Sequence, residues 1–440
     1  MVYLSKDFVI TGVLANEVLD SRGNPTVEAK VTLSGGAFAT AIVPSGASTG
    51  AYEALELRDH DPLRFGGNGV LQAVQNIDSV LAPGIIGLSA DDQATIDNRM
   101  LELDGASDKS SLGANAILAV SMAVAQAAAS QHSAGDGLWK WLSKDGVVSL
   151  PVPMLNILNG GRHASNSTDV QEFMVLPVGL PTFSESLRCG VEVYQALKAL
   201  MREGGHNLNV GDEGGFAPSL PSNRAAIELV VKAIEKAGYS PGNQVFIGLD
   251  VAASELFNKA DGLYGLEKEG RYLTSAELIA LYEQWVSEYP ILSIEDGLDE
   301  DDWQGWVSLH QSLGDRVQLV GDDLFVTNIA RIKDGVDMNA SNAVLLKRNQ
   351  IGTLTETYQA LQMTREAGWG AVMSHSSGET EDTTIADLSV AWNVGQIKAG
   401  APARSDRVSK YNRLLRIEKS LGDRAIYSGR ATYAYLKSSI

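Results

Sequence analysis

The sequence predicts an α/β protein, a carboxy-terminal barrel of alternating strands and helices preceded by a smaller α+β segment. Three observations carry that prediction. First, short apolar runs rich in β-branched residues recur through the second half, at 245–250, 291–295, 317–322, 343–347, 371–375 and 396–398. Second, their end residues are 45, 27, 25, 28 and 23 positions apart, steps of one strand, one helix and two loops. Third, the intervening segments carry helix signals. Thr274 with Glu277 and Thr353 with Glu356 fit capping boxes, and Gly368 follows Glu366-Ala367 as a C′ glycine. Repeated strand–helix units imply a parallel sheet, and this many imply closure into a barrel. An open doubly wound sheet is the alternative, but no dinucleotide-binding glycine fingerprint supports it.

At 440 residues the chain exceeds what one core fills, so two domains are expected, 1–142 and 143–440. Gly146, Pro151 and Pro153 interrupt the pattern at that boundary. Before it, strand-like alternation at 27–33 and 37–43 precedes helical runs. The Ala-rich stretch 123–137 reads as the end of a closely packed helix that begins near Leu112.

Composition removes several classes of function. With 44% hydrophobic and 20% charged residues the chain has the profile of a soluble globule, and no apolar run is long enough to span a bilayer. The first ten residues lack the apolar stretch of a signal peptide. A net charge of −19 argues against phosphate-backbone binding, so no nucleic-acid partner is expected. An anionic substrate must be held by local cations against that global field. The single cysteine, Cys189, excludes an intrachain disulfide, fits a reducing cytoplasm, and reads as a packed side chain.

Barrel enzymes place their chemistry where the strands end. Here those ends read Asp250, Glu295, Asp322, Lys347, His375 and Lys398. Three carboxylates from adjacent strands cannot all ionise side by side without a counter-charge. A hard divalent cation supplies it, and oxygen-only ligation favours Mg2+ over Zn2+. Any one acidic strand end serves equally well as a helix N-cap. Three in register, with two lysines following, favour the metal. Lys347 and Lys398 are each a candidate base or an ordinary salt-bridge partner. A lysine that acts as a base near neutral pH must first lose its own proton, at roughly 4 kcal/mol, and like charges nearby assist. Gly211-Asp212-Glu213-Gly214-Gly215 is a tight acidic turn: an ordinary glycine loop, or one that poises Glu213 as a general acid with Glu172 as its partner. His163 lies in the glycine loop 160–164, where a ligand-facing role is expected, whereas His60, His132, His206 and His310 read as structural. The loop 45–50, Ser-Gly-Ala-Ser-Thr-Gly, is a surface loop or a lid.

Long strings complete this picture. They include LDSRGNPT from Leu19, VPSGASTG from Val43, LGANAIL from Leu112, QEFM from Gln171, GDEGGFAP from Gly211 and LDVAASE from Leu249. SIEDGL from Ser293, GDDLFVTN from Gly321, NQIGTLTET from Asn349, SGETEDT from Ser377 and GAPARSDR from Gly400 continue them. In these strings the sequence closely resembles the enolases. The resemblance implies an enolase-like C-terminal (β/α)8-type barrel with an antiparallel start and an N-terminal α+β capping domain. It implies that Asp250, Glu295 and Asp322 are the primary Mg2+ ligands, and that Ser48 is a lid serine reaching a second, substrate-dependent Mg2+. It likewise implies that Lys347 takes the α-proton, that Glu213 assisted by Glu172 helps hydroxide leave, and that Lys398, His163, His375 and Ser377 contact a small anionic substrate. A homodimer is usual in the family. A proton next to a carboxylate is very weakly acidic, and its removal builds a multiply charged ene-diolate that preorganised positive charge stabilises.

One departure bears on substrate choice. Enolases read Ser-His-Arg-Ser-Gly-Glu where this chain reads Ser374-His375-Ser376-Ser377-Gly378-Glu379. The family's arginine binds the substrate phosphate. A charged hydrogen bond of that kind is worth about 1.5–3 kcal/mol, and serine cannot reproduce its bidentate geometry. Arg348 stands where an apolar residue is usual, Arg162 at a variable position, and Ala399 where threonine is common. Gln195, His60 and Asn68 read as drift. Ser376 opens space, and Arg162 and Arg348 are expected to return positive charge to the substrate site. The combination suits a phosphorus carrying an extra bulky or anionic group. The expected function is Mg2+-dependent removal of the α-proton of a phosphorus-bearing 2-substituted three-carbon acid to give an enolpyruvate. The specialised form is carboxyphosphonoenolpyruvate synthase, of phosphonate natural-product biosynthesis. The alternatives are ordinary phosphopyruvate hydratase of glycolysis, acting on 2-phosphoglycerate, and a non-catalytic enolase-like binding protein.

Overall fold

The computed structural model describes residues 6–46, 50–132, 137–144, 146–164 and 167–437. The chain opens with a three-stranded antiparallel sheet, β1 (Ile10–Leu19), β2 (Pro25–Leu33) and β3 (Phe38–Ile42). In β2 the residues Val27, Ala29, Val31 and Leu33 are buried and Glu28, Lys30 and Thr32 are not, the alternation a one-sided sheet requires. Its buried face lies on the helix Ala114–His132, enclosed almost without interruption to Ala129. As far as His132 the Ala-rich stretch is therefore a helix packed on nearly all sides, where small side chains let neighbouring elements approach closely; residues 133–136 lie outside the described residues. Among the described residues, no helix is long and apolar enough to cross a membrane.

After the helix Leu138–Ser143 come β4 (Val152–Asn159), β5 (Glu172–Leu176) and β6 (Phe246–Asp250), then a small sheet, β7 (Phe257–Asn258), β8 (Leu263–Leu266) and β9 (Arg271–Leu273). The remaining strands are β10 (Ile291–Glu295), β11 (Gln318–Gly321), β12 (Ala343–Leu346), β13 (Gly370–Ser374) and β14 (Gln396–Lys398). They close into an eight-stranded barrel in the order β10-β11-β12-β13-β14-β4-β5-β6. β5 runs antiparallel to both neighbours, and every other junction is parallel. The open-sheet alternative is excluded, and the antiparallel start is present. All six expected strands form, with ends within about one residue of the prediction. The step from Asp250 to Glu295 is long because it contains the small sheet and the helix Ser275–Glu288. Both halves of the Thr274–Glu277 capping box form; Thr353 Oγ1 accepts the Glu356 amide at 3.1 Å; Gly368 takes a φ of +73°.

Strand register places the site. Glu172 is the first residue of the reversed strand, so it stands at the rim where the parallel strands end. It pairs with Asp250, which pairs in turn with Glu295, and Ser374 pairs with Lys398. Below this charged rim the barrel is plugged by Met154, Met174, Leu176, Leu292, Leu345 and Val372.

Candidate active site

The two lysines stand among the rim carboxylates. Lys398 Nζ lies 2.8 Å from Asp250 Oδ2, 2.8 Å from Glu295 Oε1 and 3.3 Å from Glu172 Oε1. Lys347 pairs with Asp322 Oδ2, and Gln350 Nε2 donates to Asp322 Oδ1 at 2.8 Å. Burial pulls the Lys347 ammonium down, but Asp322, Glu295 and Asp323 outweigh it and hold the group above the usual lysine range. The expected lowering by a like charge is present, from Lys398, but the carboxylates outweigh it, and the nearest of them, Asp322, pairs with Lys347 directly. Lys398 is held up in the same way: burial opposes Asp250, Glu172 and Glu295, and the carboxylates win.

Burial, then Asp250 and Asp322, push Glu295 well above the usual carboxylate range, although Lys398 opposes them. Asp296 is pushed up by burial and by Asp323, Asp322 and Glu295. Burial works against ionised Asp250, but Lys398 outweighs it and holds the group below its usual value. The rim lacks positive charge for all its carboxylates, and Glu295 Oε2 is buried with no hydrogen-bond partner. An all-oxygen donor set with an orphaned carboxylate oxygen fits a hard dication such as Mg2+. The expected triad is spread around the lysines. The acidic trio whose ligand atoms lie within 4.8 Å of one another is Asp296, Asp322 and Asp323, which shares only Asp322 with it. Ser48 lies outside the described residues.

Across the cleft, His163, Glu172 and Glu213 form a second compact group. The 211–215 turn closes through Gly211 N to Gly215 O at 2.9 Å, and Gly214 takes a φ of +89°, which a side chain would resist. Glu213 Oε2 accepts from Asn156 Nδ2 at 3.1 Å and faces His375 Nε2 at 3.4 Å; Oε1 lies 3.4 Å from Ser377 Oγ and 3.9 Å from His163 Nε2. Burial and the Glu213 charge push Glu172 well above the usual range. For Glu213 burial is outweighed by His375, His163 and Arg407, and the carboxyl sits well below it. His375 is itself pushed down to about 4, chiefly by burial, so at neutral pH it supports Glu213 as an N–H donor without a full charge. The two carboxyl groups are driven apart, Glu172 upward and Glu213 downward.

At the end of the cleft where the substituted arginine would stand, the side chains of Ser376 and Asn349 are uncharged. Ser376 Oγ donates to Asn349 Oδ1 at 2.9 Å, beside Ser377. Arg162 and Arg348 do not line the cleft, contrary to expectation. Arg162 points outward and pairs with Glu255 at 2.6 Å, because in the tight turn Gly161–His163 its neighbour His163 takes the inward position. Lys347 is the extended residue just before the short helix Arg348–Ile351, so its side chain and that of Arg348 leave the chain on different sides. With Lys347 facing the cleft, Arg348 is buried against Met122. Neither arginine returns positive charge to the site.

Several cleft residues escaped sequence reasoning. Asp296 and Asp323 each follow an expected ligand, and within a strand neighbours face opposite sides. Asp296 instead takes a φ of +42°, and its carboxylate accepts the amides of Asp322 and Asp323 at 2.9 Å each. The doublets Glu295-Asp296 and Asp322-Asp323 were the available signal. Glu53, pushed up to about 7 by burial, enters from the N-terminal region, and Gln171 and Asn349 complete the wall. An isolated antiparallel bridge between Ser45 and Gly378, with both amides donating at 2.8 Å, ties the segment before residue 47 to the loop carrying Ser376 and Ser377.

A charged rim over an apolar plug, in a barrel with one reversed strand, defines an α/β-barrel protein with a charged cleft at its strand ends. Comparison with known families is specific. The chain matches the description "Enolase, N-terminal domain" over residues 10–141 and "Enolase, C-terminal TIM barrel domain" over residues 147–436. The protein belongs to the enolase family.

Proposed function

We propose that this protein is a Mg2+-dependent enzyme that removes the α-proton of a phosphorus-bearing three-carbon acid and expels hydroxide from the adjacent carbon to form an enolpyruvate. The observation that carries this reading is the rim itself: strand register sets Asp250, Glu295 and Asp322 beside Lys347 and Lys398, and opposite Glu213 and His163. Asp250, Glu295 and Asp322 hold the metal, with Ser48 the proposed contact of a second ion. Bound there, Mg2+ supplies positive charge that stabilises a developing ene-diolate. Lys347 Nζ takes the α-proton. Glu213 and Glu172 attend the departing hydroxide together, and the proton it takes comes from this pair, in which burial and the Glu213 charge favour the protonated form of Glu172. Lys398 and His163 orient the substrate carboxylate and hydroxyl, and His375, Ser376 and Ser377 line its far side. Residues 1–142 act as a cap and 143–440 as the barrel domain.

The finer reading is a carboxyphosphonoenolpyruvate synthase activity. It is supported by the uncharged Ser376 and Asn349 side chains at that end of the cleft, where hydroxyl and amide groups replace a bidentate cation. With Arg162 and Arg348 turned away, an additional carboxylate on phosphorus would meet these neutral donors. Steady-state assay of 2-phosphoglycerate dehydration tests it: family-typical turnover by the unmodified protein makes it an ordinary phosphopyruvate hydratase. Poor turnover that Ser376→Arg restores supports altered recognition on an intact catalytic set. Absence of α-proton exchange with any phosphorus-bearing acid defeats the enzymatic reading.

A further inference from the structure

We propose that Arg407 is a positioning residue that locks His375 as the neutral Nε2–H tautomer, so that His375 presents a hydrogen-bond donor to Glu213. Arg407 enters from the first turn of the helix Ser405–Leu421 and is fully buried. Its Nη1 meets His375 Nδ1 and donates to the Ser376 carbonyl at 2.7 Å. Its Nη2 donates to the carbonyls of Ser377 at 2.5 Å and Asp212 at 3.3 Å. Asp406 Oδ2 lies 2.8 Å from Nε as a charge contact without directed hydrogen-bond geometry.

A guanidinium offers only donors and does not lose its proton in water. The nitrogen it meets must therefore present a lone pair. His375 Nδ1 is unprotonated, and the ring's single proton resides on Nε2. That nitrogen faces Glu213 Oε2 at 3.4 Å. An imidazolium would set N–H against N–H and place two cations in contact. The charged groups acting on the ring are Glu213, Arg407 and Lys398. The same guanidinium gathers carbonyls from the 211–215 turn and the 375–379 loop, so it also sets the separation between Glu213 and His375. Gly400 leaves the space: a Cβ there would stand 2.8 Å from Arg407 Cδ and 3.0 Å from the Glu213 carbonyl.

The catalytic consequence rests on the reading of Glu213 with Glu172 as the acid pair, whereas the tautomer does not. Nitrogen-15 NMR of histidine-labelled protein, with the His375 signals assigned by their loss in His375→Gln, is expected to show one Nε2-protonated neutral ring from pH 6 to 8. A Nδ1–H tautomer, or titration to imidazolium in that range, overturns the proposal. Arg407→Lys, which keeps a donor, should retain the tautomer. Arg407→Met should mix tautomers, lower kcat by roughly 100-fold and displace its pH profile, with KM changed far less. An unchanged tautomer in folded Arg407→Met overturns the role of Arg407. If that variant does not fold, the unmodified protein and Arg407→Lys decide. The expected tautomer in a protein without lyase activity would sink the functional reading and leave this one standing.

Discussion

Arg348 Nε lies 3.1 Å from Met122 Sδ, and the guanidinium is wholly enclosed on the far side of the chain from Lys347, its neighbour in sequence. Nη1 and Nη2 make no hydrogen bond; Glu379 and Asp382 approach only to 4.0 and 3.9 Å. Glu379 keeps Lys410 Nζ at 2.9 Å without it. Removing one partner of a buried ion pair costs about 3–5 kcal/mol, but Arg348 meets its carboxylates only at long range, which reduces that cost. Arg348→Met should lower the unfolding free energy, by less than the about 3–5 kcal/mol that loss of a closely paired buried partner costs. Its KM should stay near that of the parent. A large rise in KM would put Arg348 back in substrate recognition.

Glu379 supports a pH prediction. Burial raises its pKa, but Lys410, Arg348 and Arg407 outweigh that and hold it down to about 2, against 4.5 for an exposed glutamate. A carboxyl depressed in the folded state stabilises fully above its unfolded pKa and loses that contribution as pH falls through the folded value. The shift corresponds to about 3 kcal/mol. Denaturant titrations of Glu379→Gln should show a large deficit against the parent at pH 7 and 5, narrowing from pH 4.5 downward. A pH-independent deficit would mean that the ionised form contributes nothing.

Metal binding is expected to appear as stability. An ion held at 100 times its dissociation constant adds about 2.7 kcal/mol to folding. Mg2+ titration should therefore raise the melting temperature of the parent, and Glu295→Gln and Asp322→Asn should abolish the rise while remaining folded. An undiminished rise in both variants would move the ion elsewhere.

Lys347→Ala should slow exchange of the substrate's α-hydrogen with deuterated solvent by about 10²–10⁴-fold. Its circular dichroism should match that of the parent. Exchange at the parent rate would transfer the base role to another group, with Lys398 the first to examine.

Much of the rim was legible locally. Asp250, Glu295, Asp322, Lys347, His375 and Lys398 each close an apolar run, so their position at a strand end follows from where hydrophobic patterning stops. β4 and β5 were not legible as strands, because no α-helix separates them and they fall outside the strand–helix spacing that marked the others.

By itself, the sequence determined which side chains reach the barrel rim, the all-oxygen character of the proposed metal site and, through its likeness to the enolases, the serine in place of an arginine at position 376. Only the tertiary structure decided which way Arg162 and Arg348 point, that Asp296 and Asp323 turn inward, and that Arg407 grips His375. The physical reason is range. Strand ends are set by patterns a few residues long. The aim of a side chain beside a cleft depends on how each loop and helix seats against the closed barrel, through partners such as Arg348 and Met122 that lie 226 positions apart.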